Sequence, residues 1–251
     1  PCCSNFRRGS STEECSIAVV IIFLPKRLSI AIIFILLILL IFAFLYEVPN
    51  EPTISLISAS KTIVIDAGHG GVFPGKVSSS GIEEKDINLA IALKLQNLLI
   101  PDGAEIVMSR TTDTELASAD YDKLIQRQRA DLKARTDIAK QCGADYFISI
   151  HCNSTPAEKW RGAQVFYRPN DPESQALAEC LQNRLREQLD NTERTAIARN
   201  DTFLFENLEI PAVIVECGFL SNPTECALLS DDLYQKKIAH AIYLGLSDYL
   251  N

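Results

Sequence analysis

The chain has 251 residues, 47% of them hydrophobic and 22% charged, and its net charge is -8. That length holds one domain of ordinary size with something added, and the apolar share is enough for a real core. The acidic balance, with no basic stripe carrying interleaved aromatics, excludes a nucleic-acid binder.

Residues 1–27 receive no assigned role: Pro1 to Ser16 shows no periodicity, and a first apolar run, Ile17 to Leu24, is too short to span a bilayer. From Leu28 to Tyr46 the sequence is almost wholly apolar and uncharged. A run of about 20 such residues is long enough to cross a bilayer as a helix. Lys26 and Arg27 precede the run and Glu47 and Glu51 follow it, so the positive-inside rule places everything beyond Tyr46 on the extracytoplasmic side. Phe42 to Tyr46 offers no good pair of small residues for signal-peptide cleavage, so an uncleaved anchor over 28–46 is expected. Residues 47–60, with Pro49 and Pro52, read as a linker, and 61–251 as one folded domain.

Thr62 to Asp66 reads as a buried strand that stops at the glycine turn Gly68-His69-Gly70-Gly71. After a loop over 72–82, a helix begins at Glu83-Glu-Lys-Asp, where acidic residues suit the helix dipole. Ile87, Ile91, Leu95 and Leu98 form its inward stripe, and Pro101-Asp-Gly103 ends it. Glu105 to Ser109 is a second strand, and Arg110 to Asp122 a polar loop. Lys123 to Gln141 is a helix with Leu124, Leu132 and Ile138 inward. Tyr146 to Ile150 is a third strand, stopping at His151, and Ala163 to Tyr167 a fourth. Glu173 to Leu189 is a helix on Leu177, Cys180/Leu181 and Leu185. Pro211 to Val215 is a further buried strand ending at Glu216, and Leu233 to Leu250 is the closing helix. The alternation predicts a single α/β domain with a mixed, mostly parallel central sheet flanked by helices.

The eight cysteines include no Cys-x-x-Cys pair, which excludes a zinc ribbon or a thioredoxin-type motif. Five lie beyond the apolar run, an odd number that argues against a full disulfide framework. Histidine is scarce, with only His69, His151 and His240. His69, His151 and Glu216 each follow an apolar run directly, and parallel neighbours would bring them to one edge of the sheet. Two neutral imidazoles and a carboxylate make a zinc set, and a catalytic zinc keeps three protein ligands with one open position. Glu83 or Glu84 can supply the carboxylate, and the residues alone do not choose between them. Glu216, behind Val213-Ile-Val, is expected to be partly buried with a raised pKa, and so suited to carry a proton. His240 reads as structural. Cys152 and Cys217 read as small packing residues.

Taken together, Ile65-Asp-Ala-Gly-His-Gly-Gly, Gly81-Ile-Glu-Glu-Lys-Asp-Ile-Asn-Leu, Ser149-Ile-His-Cys-Asn and Val215-Glu-Cys-Gly-Phe-Leu-Ser-Asn resemble the four motifs of the zinc-dependent N-acetylmuramoyl-L-alanine amidases, the type-3 cell-wall amidase family. The resemblance spans about Lys61 to Leu250. It implies that Zn2+ is bound by His69, Glu84 and His151, that Glu216 is catalytic, and that the substrate is the amide joining N-acetylmuramic acid to L-alanine in peptidoglycan. It also implies the proton route: Glu216 takes a proton from the attacking water and returns it to the leaving amine. A lone domain behind one N-terminal anchor is similar to the sporulation amidases of the spore cortex. Two departures stand out. Ala67 replaces the frequent proline, and Val72 and Phe73 stand where many members carry an aspartate, which leaves that loop's contacts open. Asn153 and Arg161 are further substrate-contact candidates. The alternatives are a zinc-dependent carbohydrate deacetylase or peptidase acting on the wall, and a non-catalytic wall-binding domain. An activating protein partner is left unidentified.

Overall fold

The computed structural model describes residues 25–45 and 61–251, with the exception of Ala119. The chain divides into two compact units, Pro1–Thr53 and Ile54–Asn251. In the first, helix α1 spans Lys26–Leu45, and its side chains from Ile32 to Leu39 are exposed. Among the described residues no helix is long and apolar enough to cross a membrane. Tyr46 and the linker expected over 47–60 lie outside them.

The second unit is an α/β domain built on a six-stranded sheet of order β2-β1-β3-β6-β4-β5. Its elements in chain order are β1 (Thr62–Ala67), α2 (Glu84–Leu99), β2 (Glu105–Met108), α3 (Leu124–Cys142), β3 (Tyr146–Asn153), β4 (Gln164–Tyr167), α4 (Pro172–Leu189), β5 (Ile197–Ala198), α5 (Phe203–Asn207), β6 (Ala212–Phe219), α6 (Pro223–Leu229) and α7 (Asp232–Leu250). β2, β1, β3 and β6 run parallel, β4 is antiparallel to β6, and β5 is parallel to β4. The mixed, mostly parallel sheet expected from the sequence is therefore present.

The two-residue period of a strand sends alternate side chains to opposite faces, and the core divides accordingly. Ile63, Ile65, Ile148, Ile150, Val213 and Val215 face a layer made by α2, α4 and α7. Val64, Phe147, Ala212 and Ile214 face α3 and α5 through Ala139, Leu204, Phe205 and Leu208. The first layer is mainly apolar, though α2 also buries Asn88 and α4 buries Gln182. Ile87, Ile91, Leu95 and Leu99 of α2 are buried; Leu99, not Leu98, closes that stripe. On α4 the buried positions are Leu177, Leu181, Leu185 and Leu189, and Cys180 is only partly covered. At Gly245 of α7 an added Cβ would stand 2.6 Å from Leu181 Cα, so the glycine sets how closely α7 and α4 approach.

The second layer departs from expectation. Leu124 is 63% exposed, and the buried residues of α3 are Asp131, Arg135, Thr136 and Ala139. Leu132 and Ile138, also expected inward, are half-buried, Ile138 against the second core cluster; what a pattern seeking apolar residues every three to four positions misses is that the most buried positions beside them are charged or polar. Two strands also run further than expected. β3 continues through His151 to Asn153 and β6 through Glu216 to Phe219. The polar side chains sit within these strands, not after them. A register shift lies between His151 and Asn153. α5, α6 and the two-residue β5 carry no periodic signal long enough to read from sequence.

Candidate active site

The turn after β1 brings the first histidine to the sheet's carboxyl edge. His69 has φ 64, left-handed for a residue with a Cβ, between Gly68 and Gly70. Such a backbone persists only where surroundings hold it, and Arg135 Nη2 does so by donating to His69 O at 2.7 Å. Gly68 makes room for the other histidine, since a Cβ there would lie 2.3 Å from His151 Nε2. Gly75, at φ +70, makes room for the ligands themselves: its Cβ would meet Glu84 Oε2 at 2.5 Å and His69 Cδ2 at 2.6 Å.

Glu84 is the first residue of α2 and is 2% exposed. Its Oε1 lies 2.9 Å from His151 Nδ1, and its Oε2 lies 3.2 Å from His69 Nε2. The two imidazoles meet edge to face, with centroids 4.9 Å apart. Glu84 is further fixed by the N–H groups of Lys76 at 2.8 Å and Cys152 at 3.1 Å, and by Asn88 Nδ2 at 3.3 Å. Glu83 turns instead to Lys85, 3.2 Å away. Of the two glutamates left open by the residues alone, only Glu84 joins the histidines.

These three side chains form a group able to hold a metal ion, with ligand atoms all within 4.8 Å of one another. A tetrahedral zinc with bonds near 2.0–2.2 Å needs ligand atoms roughly 3.3 Å apart. The contacts of 2.9 and 3.2 Å use a different Glu84 oxygen for each histidine, and donors of two imidazoles and one carboxylate suit zinc chemically. The residues therefore fit the ion the sequence implied.

Electrostatics agrees. Burial works to raise the Glu84 carboxyl, but the hydrogen bonds and charges of His151 and His69 outweigh it, and the pKa lies far below the ordinary value. Burial lowers His69, with the neighbouring His151 adding to the effect against the raising pull of Glu84. At His151 burial also lowers, yet the Glu84 hydrogen bond and the charges of Glu84, Glu216 and Asp66 raise the imidazole overall.

Glu216 stands in β6 directly opposite His151 of β3 in the ladder. Its Oε2 is buried without a hydrogen-bond partner. Burial pushes its pKa up to about 7, with His151 opposing and Glu84 assisting. An orphaned buried acceptor is costly, and one of the recognised reasons for keeping it is catalytic use. Between the histidines and α3 lies a small cavity of about 50 Å³, lined by Asp66, Gly68, His69, Arg135, His151 and Leu204 among others.

Behind the site lies a layer that pattern reading missed. Arg135, 2% exposed, contacts Asp66 Oδ1 at 2.5 Å and Asp131 Oδ2 at 2.8 Å. Ser149 Oγ donates to Asp66 Oδ2 at 2.6 Å. The available signal was Asp131 and Arg135, an i, i+4 pair in α3 that a solvated face also explains. In the loop where family members often carry an aspartate, Asp113 and Glu115 supply the carboxylates, accepting from Gly71 N at 2.8 Å and Val72 N at 3.2 Å.

The remaining candidates separate. Asn153 Oδ1 accepts from the adjacent Ser154 N–H. Arg161 lines an open cleft of about 640 Å³ with Trp160 and Arg194. Arg194 Nη1 reaches Gln164 Oε1 at 2.9 Å, and Gln164 is the antiparallel neighbour of Glu216. His240 is exposed on α7 and stacks on Tyr243 at 6.1 Å. Cys152 and Cys217 are buried in the apolar layer on the other face of the sheet, where burial pushes both thiols well up. They pack, as expected, and the five cysteines among the described residues are free.

Comparison with known proteins agrees with this geometry. The profile of the family described as N-acetylmuramoyl-L-alanine amidase matches residues 63–248. The chain belongs to that family. A germination-specific N-acetylmuramoyl-L-alanine amidase of Bacillus subtilis (strain 168) is 37% identical, over 84% of this chain and 90% of its own length. Among solved structures, the CwlD amidase from Clostridioides difficile, determined in complex with the GerS lipoprotein, is 42% identical with a TM-score of 0.74, covering 76% of this chain and 98% of that one. The catalytic domain of CwlV, the amidase from Bacillus (Paenibacillus) polymyxa, is 33% identical with a TM-score of 0.66, over 76% of this chain and 98% of its own. This amidase thus shares its sheet and helices with relatives from several bacteria.

Proposed function

We propose that the protein is a zinc-dependent N-acetylmuramoyl-L-alanine amidase that cleaves the amide between the lactyl group of N-acetylmuramic acid and the L-alanine of the stem peptide. The observation that carries this reading is the convergence of His69, Glu84 and His151 beside a buried carboxylate, Glu216, with an unpartnered oxygen. When bound, zinc would polarise the scissile carbonyl and acidify a water. His69, Glu84 and His151 hold the ion; Glu84, ionised, sits between the two imidazoles. Glu216, with its pKa near 7, accepts the proton of the attacking water at its carboxylate and returns it to the departing amine, because its affinity for a proton matches neutral pH.

Two readings accompany the chemistry. The resemblance to a germination-specific relative supports a role in spore cortex maturation, and the lipoprotein bound to the Clostridioides difficile relative supports an accessory protein partner. The apolar sequence over 28–46, flanked by Lys26 and Arg27 on one side and Glu47 and Glu51 on the other, supports an N-terminal membrane anchor with the domain on the extracytoplasmic side.

The decisive experiment replaces Glu216 by Gln. Digestion of purified peptidoglycan, followed by mass spectrometry of the soluble fraction, is expected to show intact stem peptides beginning with L-alanine for the parent protein. For Glu216→Gln the rate falls by about 10²–10⁴ while the zinc content is retained. Persistent turnover removes Glu216 from the reaction. Release of acetate without stem peptides identifies a deacetylase, and cleavage within the stem a peptidase.

A further inference from the structure

Arg110 follows β2 in a stretch that reads as polar loop, yet it is 3% exposed. Its guanidinium donates to Ala67 O at 2.9 Å, Gly68 O at 3.1 Å, Lys85 O at 2.7 Å and Thr112 O at 3.1 Å. All four acceptors are backbone carbonyls. Among the described residues no carboxylate stands within ion-pair reach of it, unlike Arg135, which has Asp66 and Asp131. Burying a guanidinium is costly, and an ion pair normally offsets part of that cost. Here the bonds go instead to two particular pieces of backbone. Ala67 and Gly68 immediately precede His69, and Lys85 immediately follows Glu84.

We propose that Arg110 is a positioning residue that locks the distance between His69 and Glu84, and thereby sets the affinity of the site for its divalent ion. The proposal rests on the metal reading of that site. One rigid, planar group spans the two segments that carry the ligands, which the chain joins covalently through the loop over 70–83. The left-handed backbone of His69 is thus gripped on both sides: Arg135 holds its own carbonyl, and Arg110 the two carbonyls before it. The surroundings are shaped for this side chain. A Cβ at Gly70 would stand 2.2 Å from Thr114 O and 2.9 Å from Arg110 Cδ and Nε, so glycine leaves room for the Arg110 stem as well as for that carbonyl. Asn88 completes the link, donating through Nδ2 to Gly68 O at 3.2 Å and to Glu84 Oε1 at 3.3 Å. Groups that orient metal ligands without touching the metal commonly govern affinity by 10–100-fold.

The test compares the parent full-length chain with Arg110→Met, which keeps length and loses every donor, and with Arg110→Lys, whose single ammonium cannot span both segments. Ile242→Val, in the apolar layer on the opposite face, controls for lost stability. Zinc affinity is measured by competition with a chromophoric chelator, and ligand geometry by the visible spectrum of the Co2+-loaded protein. Arg110→Met is expected to weaken zinc binding about 10–100-fold and to shift the Co2+ bands, Arg110→Lys to fall between, and Ile242→Val to leave both unchanged. Parent-like zinc affinity and Co2+ spectrum in Arg110→Met, whatever its melting temperature, overturn the proposal. Should that variant not fold, parent-like values in Arg110→Lys overturn it equally. A parent protein that binds no zinc sinks the metal reading itself, and the proposal with it.

Discussion

Replacing Arg135 by Met is the sharpest probe of the layer behind the site. In the folded protein the guanidinium bonds to Asp66, Asp131, Ala67 O and His69 O, and Asp66 is 0% and Asp131 4% exposed. Methionine fills a similar volume and leaves both carboxylates without their cation. Removing one partner of a buried ion pair costs about 3–5 kcal/mol. For a domain of 150–250 residues each kcal/mol moves the melting temperature by about 2–4 °C, so a fall of about 6–20 °C is expected. The loss also depends on pH. Burial pushes the Asp66 carboxyl up, but Arg135, the Ser149 hydrogen bond and the other favourable contacts hold it below its ordinary value. A depressed carboxyl contributes stability that is present above its unfolded pKa, near 3.9, and disappears as pH falls through the folded value. Without Arg135 the Asp66 pKa rises and that contribution vanishes. The deficit of Arg135→Met is therefore full above about pH 4 and narrows as pH falls below it towards the folded value. Urea unfolding of parent and variant near pH 7 and near pH 3 measures it. A deficit below about 1 kcal/mol at neutral pH, the size of an exposed pair, refutes the reasoning. So does a deficit that is the same at both pH values.

Other outcomes follow from the same geometry. Gly68→Ala places a methyl against the His151 ring and Gly75→Ala places one against Glu84 and His69; each is expected to weaken zinc binding by at least tenfold, read by chelator competition. Gly245→Ala forces α7 away from α4 and is expected to cost about 1–3 kcal/mol in chemical denaturation, with zinc affinity unchanged. Stripping the metal with a chelator is expected to lower the melting temperature, because an ion bound only by the folded state stabilises it, by about 2.7 kcal/mol at a hundredfold excess over Kd; an identical melt with and without zinc counts against a folded-state site. Cys152, Cys217 and Cys226, all buried, are expected to react with a thiol reagent only in denaturant, with Cys142 and Cys180 reacting first.

The apolar layer was legible because its signal is local. The runs at Ile63, Ile148 and Val213 and the helical spacing of Ile87, Ile91 and Leu95 state their burial in their own periodicity. His69, His151 and Glu216 were legible for a related reason, since each interrupts such a run at its C-terminal side. The choice between Glu83 and Glu84 was not, because it depends on which one faces inward as α2 begins, and that is settled by Lys76, Cys152 and Asn88 from elsewhere in the chain. The most buried residues of α3 were missed for the opposite reason: Asp131 and Arg135 are charged and become intelligible only once Asp66 is seen waiting beneath Arg135. Arg110 left no trace at all, as every acceptor it uses is a main-chain oxygen, and main-chain oxygens have no sequence.

The alternation along β3 and β6 has a consequence for how a metal ion would reach the site proposed above. His151 and Glu216 look towards α3, while the very next residues, Cys152 and Cys217, look the other way into the hydrocarbon interior. One ribbon thus carries a nitrogen-and-oxygen chemistry on its front and a sulfur chemistry on its back, and only pairing register tells them apart. While the chain is unfolded, thiolates would compete for any soft cation present; once the sheet has closed, they are out of reach. On the zinc reading, an ion supplied after folding would meet His69, Glu84 and His151 with Cys152 and Cys217 already buried, whereas copper or excess zinc supplied during folding would meet both sets, and the yield of active enzyme should record the order of addition.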